Sequence, residues 1–296
     1  MKLFEMKKWF NVLTTRYFMK YLGVMLSHDN VYWTAINIGR YVVNLKEKEE
    51  VGVSYLPLSH VAANLSDIWG VFLVKGTIVF ADRGALKGTL GETLKEARPT
   101  SFFGVPRVYE KIVDGIQAKT VDAKGVKKKM FDFFTKAGLQ YHTNKTNKLA
   151  YQAGKKLLYP KLHSAMGLDR CRSFYSGAAP IAKETLEYLL GIDVEVSDTY
   201  GMSEAPSSTV VYKEPRLGSV GIPIPGCKIK IHNPNENGEG EICMWGRNAM
   251  MGYLNEKTKT IEAIDDDGWI HSGDIGVIDI DQYLYIRGKL QANSIS

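Results

Sequence analysis

Cysteine is scarce in this sequence, and long apolar runs are absent. The 296 residues include three cysteines, Cys171, Cys227 and Cys243, without Cys-x-x-Cys spacing and without a histidine nearby at ligand spacing. This pattern suggests neither a disulfide framework nor a zinc site, so we expect reduced thiols in a cytoplasmic protein. No run of 18 apolar residues occurs, which excludes an ordinary transmembrane helix.

Glycine and a continuous apolar centre are both missing from the first 22 residues, which are instead basic and aromatic. The missing apolar centre argues against a signal peptide. A membrane-surface helix and a disordered or weakly helical leader both fit this composition. Peripheral contact with the endoplasmic reticulum or another membrane therefore stays open.

A dense block of positive charge is also missing. The formal net charge is +6, but the lysines and arginines are spread along the chain. No recognised nucleic-acid-binding module accompanies them, so we expect no nucleic-acid partner. The chain is long enough, with 45% hydrophobic residues, to bury a large core.

Short apolar strands alternate with longer helical patterns over the first two thirds of the chain. This alternation is typical of a parallel α/β sheet, with ligand-binding loops expected at the strand ends. The predicted strands cover residues 51–56, 77–80, 101–104, 172–176 and 194–197. The predicted helices cover residues 29–45, 65–74, 86–97, 107–118, 120–165 and 183–190, the first capped by Ser27 or Asp29.

Beyond about residue 206 the pattern changes to short β-type segments separated by Gly, Pro and Asn. Such segments indicate a small antiparallel, barrel-like subdomain appended to the α/β part. We therefore predict four regions. They are a divergent leader at 1–22, the α/β part at 23–205, a β-rich subdomain at 206–290 and a divergent tail at 291–296.

Two motifs carry the side chains that an adenine nucleotide and its metal would need. The first is Thr-Tyr-Gly-Met-Ser-Glu at 199–204, and the second is His-Ser-Gly-Asp at 271–274. The Tyr200 ring can stack on a purine, Gly201 allows close approach of the backbone, and Glu204 can hold a hard cation. Asp274 can accept both ribose hydroxyls. A core tyrosine and a surface acid are the plain alternative.

In their order and residue sequence these motifs resemble those of the AMP-forming acyl-CoA synthetases, which are part of the adenylate-forming enzyme superfamily. The resemblance extends from residue 23 to about residue 290. Within the family, the sequence is most similar to the long-chain, bubblegum-type fatty acyl-CoA synthetases. It implies part of the large domain of such an enzyme as the fold. It also implies ATP/AMP and Mg²⁺ as cofactors, CoA as co-substrate and a long-chain fatty acid as substrate.

The resemblance also implies a role for each matched residue. Tyr200 would stack on the adenine, with Thr199 and Gly201 beside it, and Ser203 would touch a phosphate. Glu204 would bind the Mg²⁺ that bridges the nucleotide phosphates. That cation would offset the repulsion met when a carboxylate attacks the α-phosphorus. Asp274 would bind the ribose.

Two further segments match the family. Ser-Gly-Ala-Ala-Pro at 176–180 would line the adenine, so Gly177, Ala178 and Ala179 are predicted nucleotide contacts. Small residues also suit a plain turn between a strand and a helix. His60 follows a predicted strand and would act at the carboxyl end of the acyl site; a structural histidine at a strand end is the alternative.

The sequence departs from the family pattern at both ends. A Ser/Thr/Gly-rich phosphate loop with a lysine should precede Gly23, but residues 14–22 hold bulky aromatics and no glycine, and so cannot form a nest of N–H groups. Lys289 stands where an arginine is usual, and the small C-terminal domain with its adenylation lysine does not follow.

Two hypotheses result. One is an impaired long-chain fatty-acid–CoA ligase, and the other is a non-catalytic truncated paralogue, isoform or gene-model fragment with residual nucleotide or acyl binding. The sequence does not indicate which oligomeric state the protein adopts.

Overall fold

The computed structural model describes residues 10–17, 20–39, 49–121, 124–211 and 216–290. Residues 1–9 of the predicted leader and the whole predicted tail lie outside these ranges. The strands, in chain order, are β1 (Phe10–Tyr17), β2 (Lys20–Ser27), β3 (Val51–Ser54), β4 (Thr77–Phe80), β5 (Ser101–Phe103), β6 (Ser173–Ser176), β7 (Val196–Met202), β8 (Ala205–Val210), β9 (Ile222–Pro223), β10 (Cys227–His232), β11 (Gly240–Gly246), β12 (Gly252–Tyr253), β13 (Ile270–Ile278) and β14 (Leu284–Lys289).

The helices are α1 (His28–Ile38), α2 (Val61–Ala63), α3 (Val71–Leu73), α4 (Leu90–Ala97), α5 (Pro106–Val121), α6 (Val126–Asn144), α7 (Lys148–Leu157), α8 (Tyr159–Met166), α9 (Lys183–Gly191) and α10 (Lys257–Ala263). A π-helical segment, Asn64–Gly70, joins α2 to α3, and a 3₁₀ turn, Ala85–Lys87, precedes α4. Within the described residues, none of these helices has the length and apolar character needed to cross a membrane.

The chain divides into two compact units. Unit 1 comprises Met1–Leu45, Leu56–Leu73 and Asp198–Ser296, and unit 2 comprises Lys46–Tyr55 and Val74–Ser197. The predicted boundary at residue 205 stays a prediction.

Unit 2 is the parallel α/β part. In it β3 pairs with β4 and β5 pairs with β6, both in parallel. Parallel neighbours need a crossover connection, and helices supply it here, with α5 to α8 lying between β5 and β6 in the chain. Phe102 and Tyr109 are fully buried beside each other in this unit and pack edge to face. The prediction of α/β layers is confirmed.

Unit 1 is mainly antiparallel. Four strands form a sheet in the order β10-β11-β13-β14, and β12 pairs with β2 in a second sheet. The strands β7 and β8, and then β8 and β9, pair in antiparallel fashion. Because side chains alternate along a strand, one face of the four-stranded sheet buries its apolar residues in a core that includes Ile242, Met244 and Ile270. The predicted antiparallel β structure is confirmed, but in the described residues this sheet is open and not barrel-like, since β10 and β14 are its edges. The predicted bounds of the subdomain stay a prediction.

The start of α1 follows its sequence signal. Ser27 is the N-cap: its hydroxyl accepts the Asn30 backbone N–H, and the Asn30 side chain accepts the Ser27 N–H in return. This capping box resolves the choice between Ser27 and Asp29. The structure describes α1 as far as Ile38, and residues 40–45 of the longer predicted helix lie outside the described ranges.

Residues 10–17 and 20–22 are not a surface helix or a disordered leader, and that prediction is wrong for them. They belong to the hairpin of β1 and β2, which pairs without interruption from Phe10↔Ser27 to Tyr17↔Lys20. β-branched and aromatic residues in this stretch favour a strand, which explains the outcome.

Candidate functional site

The Tyr200 motif lies on a hairpin in unit 1. The pairs Thr199↔Val210, Tyr200↔Thr209 and Met202↔Ala205 join β7 to β8. Ser203 and Glu204 therefore form the two-residue turn between the strands. The sequence predicted a strand that ends at residue 197 and a motif in the following loop, which is wrong, because β7 continues to Met202.

Gly201 meets a requirement of the hairpin itself. The register shifts between Tyr200 and Met202, as in a β-bulge. A Cβ at position 201 would lie 2.3 Å from the Ser207 backbone N and 2.7 Å from the Ala205 carbonyl O. Glycine is needed there by the approach of the chain to itself, and no ligand has to be invoked for it.

Tyr200 holds the carboxylate of Asp274. The tyrosine hydroxyl donates to Oδ2 of Asp274 over 2.8 Å, and both side chains are buried. Burial and the nearby carboxylate raise the pKa of Tyr200, so the hydroxyl keeps its proton and acts as the donor. Asp274 lies within β13.

The second oxygen of Asp274 forms an ion pair with Lys289. Nζ of Lys289 lies 2.5 Å from Oδ1, in register across β13 and β14. The lysine side chain is 78% exposed, so water screens this pair and the lysine can leave at little cost. Oδ2 is thus fixed by a buried partner, and Oδ1 is covered by a removable one.

Glu204 is the most deeply buried carboxylate of the motif, with 3% exposure. The Tyr253 hydroxyl donates to its Oε1 over 2.7 Å, and β12 holds that tyrosine in register with Val24 of β2. Among the residues that the structure describes, Oε2 has no hydrogen-bond partner. Burial raises the pKa of Glu204, while Tyr253 and the charge of Lys289 oppose the rise.

The donor chemistry of Glu204 fits a hard cation. A buried carboxylate oxygen without a partner costs free energy, and a bound cation is one of the few groups that offset that cost. Mg²⁺ prefers oxygen ligands and is commonly held by one or two carboxylates together with substrate phosphates. Glu204 supplies one such oxygen.

Thr199 lies in β7, whereas Ser203 lies in the turn that follows it. The Thr199 hydroxyl donates to the Thr209 carbonyl over 2.9 Å, so the hairpin already occupies it. Ser203 is half-buried in the turn next to Glu204. Beside them in the chain, Asp198 is buried and accepts the Thr199 backbone N–H over 3.0 Å. Burial raises the pKa of Asp198 to about 7.

The predicted adenine-lining segment lies in unit 2, directly after β6. Gly177 is buried, whereas Ala178 and Ala179 are exposed. Ala178 has φ +75°, a left-handed conformation that is uncommon for a residue with a Cβ. The hydroxyl of Ser176 is buried and lacks a hydrogen-bond partner within the described part of the chain. The nucleotide contacts of this segment stay a prediction.

His60 caps a helix. Its Nδ1 accepts the Ala62 backbone N–H over 3.2 Å at the start of α2, and its side chain is exposed. This local bond shows a structural use of the histidine, and its role in an acyl site stays a prediction.

Sequence reasoning missed Tyr253 and the pairing of Lys289 with Asp274, because neither partner is near in the chain.

Comparison with known proteins places the chain in a family. The AMP-binding enzyme family matches residues 23–254. The long-chain-fatty-acid–CoA ligase ACSBG2 of Xenopus laevis is 46% identical over 279 residues, which cover 91% of this chain and 38% of that protein. ACSBG2 of Homo sapiens is 42% identical, with coverage of 91% and 41%. The chain thus spans less than half the length of these relatives.

Solved structures of adenylate-forming enzymes share the fold. A malonyl-CoA ligase, solved as a ternary product complex with methylmalonyl-CoA and AMP, matches with a TM-score of 0.69 at 26% identity, covering 95% of this chain and 53% of that one. Apo MatB from Rhodopseudomonas palustris matches with a TM-score of 0.68 at 23% identity, covering 94% and 47%. The chain therefore belongs to the AMP-binding enzyme family, as a member of its AMP-forming acyl-CoA ligases.

Proposed function

We propose that unit 1 binds an adenine nucleotide with Mg²⁺, as part of a long-chain fatty-acid–CoA ligase. Such an enzyme converts ATP, a fatty acid and CoA to acyl-CoA, AMP and pyrophosphate. The observation that carries the proposal is the partnerless Oε2 of Glu204, buried at the turn of the Tyr200 hairpin. The similarity to long-chain-fatty-acid–CoA ligases supports the substrate class.

The residues of unit 1 divide the work in this proposal. Glu204 would hold the cation, whose charge would offset the repulsion between the phosphates and an anionic carboxylate. Tyr200 fixes Oδ2 of Asp274, so that carboxylate is oriented before a ribose arrives. The ribose hydroxyls then replace Lys289 at Oδ1. Because Lys289 is largely exposed, this exchange costs little.

Calorimetry of ATP binding tests the proposal. We expect Mg²⁺ to strengthen ATP binding to the unmodified chain and to have little effect on Glu204→Gln, which keeps an acceptor for Tyr253 and loses the charge. AMP without Mg²⁺ should bind both proteins alike, which provides the control. An equal Mg²⁺ effect on ATP binding in both proteins would reject Glu204 as the cation ligand.

Nucleotide binding without turnover is a second candidate, and the β1–β2 hairpin favours it. Residues 14–17 and 20–22 are extended and paired in this ladder. A nest of backbone N–H groups around pyrophosphate therefore has no place in these paired residues. Losing positioned phosphate contacts costs orders of magnitude in rate.

Pyrophosphate release separates the two candidates. With palmitate, ATP, Mg²⁺ and CoA, we expect this chain to release pyrophosphate at least about a hundredfold more slowly than a full-length relative, in line with the loss of an electrostatic contact. The full-length enzyme assayed in parallel is the control. Equal rates would remove the second candidate. The cytoplasmic location and the peripheral membrane contact stay predictions.

A further inference from the structure

Three chemically different metal-binding side chains converge on the four-stranded sheet of unit 1. They are Glu241, Cys243 and His271, whose donor atoms all lie within 4.8 Å of one another. Nδ1 of His271 lies 2.7 Å from Oε2 of Glu241 and 3.5 Å from Sγ of Cys243. The cluster consists of residues other than Glu204 and Asp274, and the proposed function does not use it.

Strand geometry explains the convergence. Glu241 and Cys243 are two residues apart on β11, so both side chains point to the same face. Across the ladder to β13, Cys243 pairs directly with His271. The opposite face of β11 carries Ile242 and Met244 into the core, so the three ligands project from the other side of the sheet.

The surrounding groups orient the donors as outer-shell groups do in metal sites. The Gly273 backbone N–H donates to Oε1 of Glu241 over 3.0 Å, which leaves Oε2 directed at the cluster. On the far side of the imidazole, Oδ2 of Asp265 lies 3.6 Å from Nε2 of His271. A carboxylate on the second ring nitrogen is the usual partner of a metal-binding histidine, because it fixes the ring and raises its basicity.

We propose that Glu241, Cys243 and His271 bind a thiophilic divalent cation such as Zn²⁺. A thiolate, an imidazole and a carboxylate suit Zn²⁺, whereas Mg²⁺ and Ca²⁺ prefer oxygen ligands alone. Three protein ligands leave the fourth tetrahedral position to water.

The two distances to His271 agree with a tetrahedral site after a small movement, and the donors of Glu241 and Cys243, within 4.8 Å of each other, have to approach as the cation binds. Bonds of about 2.0–2.3 Å place neighbouring donors ~3.4–3.6 Å apart, and the Cys243–His271 distance of 3.5 Å already fits. The Glu241–His271 distance is that of a hydrogen bond and has to open by ~0.7 Å to admit the cation. Cys243 is buried, but Glu241 and His271 are partly exposed, so the site has an entry path.

Cobalt(II) titration of the full chain tests the proposal. Co²⁺ bound to a thiolate gives an intense near-ultraviolet charge-transfer band. We expect this band at one equivalent, its removal by Zn²⁺ and no effect of Mg²⁺. Cys243→Ser should abolish the band, and His271→Ala should weaken cobalt binding by about tenfold or more, as loss of even an outer-shell partner does.

Cys227→Ser is the matched control, because Cys227 is also buried in unit 1 but its thiol contacts Asn248 and not the cluster. This variant should keep the band. Circular dichroism confirms folding of each variant, and Glu241→Gln and His271→Ala decide the outcome if Cys243→Ser unfolds. Absence of the band in the unmodified chain, or unchanged cobalt affinity in both Glu241→Gln and His271→Ala, would overturn the proposal. Neither result affects the ATP and Mg²⁺ titrations at Glu204.

Discussion

Tyr200 contributes a hydroxyl as well as a ring, and the hydroxyl can be tested alone. Tyr200→Phe keeps the packed ring and leaves Oδ2 of buried Asp274 without its donor. Because the lost bond is to a charged group, we expect a loss of about 1–3 kcal/mol in the free energy of unfolding. Urea denaturation measures it. The double variant Tyr200→Phe/Asp274→Asn should lose less than the sum of the single changes, and strict additivity would contradict the coupling.

Asp198 makes stability depend on pH. Its folded pKa of about 7 lies above its usual 3.8, so the folded state binds the proton more tightly than the unfolded state does. The stabilisation is therefore complete below about pH 4 and is lost as pH rises through 7, by at most about 4 kcal/mol. Asp198→Asn should flatten this part of the stability profile. Parallel profiles for the two proteins between pH 4 and 8 would refute the assignment.

At the level of elements, the β7–β8 hairpin depends on Gly201. A Cβ there would meet backbone atoms, which cannot rotate away, so Gly201→Ala should cost about 1–3 kcal/mol of stability. Gly115 is the matched control, since a Cβ at this position in α5 has nothing within 4 Å. Gly115→Ala should stabilise the protein by about 0.5–1 kcal/mol. Thermal unfolding that ranks the two variants in the opposite order would contradict this account.

Apolar strands were predictable where the local pattern and the tertiary environment agree. The strand at 77–80 and the helix from residue 183 appear with nearly the predicted bounds. The end of β7 was not predictable, since Asp198 and Gly201 disfavour a strand and long-range pairing with β8 overrides that preference. The predicted helical stretch at 120–165 contains three successive helices, α6 to α8. The break between α6 and α7 falls where residues 145 and 147 adopt positive φ.

The site was predictable only where its residues stand in motifs. The family motifs predicted Tyr200, Glu204 and Asp274 as site residues. Tyr253, which donates a hydrogen bond to Glu204, lies 49 residues away in the chain and in no motif. Cys243 and His271 are 28 residues apart and meet only through the pairing of β11 with β13. For that reason the spacing of cysteines and histidines gave no indication of the cluster.

On the scale of the whole molecule, the proposed nucleotide binding depends on unit 1. The carboxylates of Asp274 and Glu204 are positioned by contacts within that unit, from Tyr200, Tyr253 and Lys289. The chain, however, spans about 40% of the relatives that it matches. We therefore test the proposal through nucleotide binding, which needs these carboxylates, and compare turnover with that of a full-length relative.

The most direct measurement of the central claim is the Mg²⁺ dependence of ATP binding, measured by calorimetry on the unmodified chain, Glu204→Gln and Asp274→Asn. We predict that Glu204→Gln loses the Mg²⁺ enhancement and keeps AMP binding. Asp274→Asn should weaken ATP and AMP alike, because both carry the ribose. An ATP affinity that Mg²⁺ raises equally in all three proteins would contradict the account.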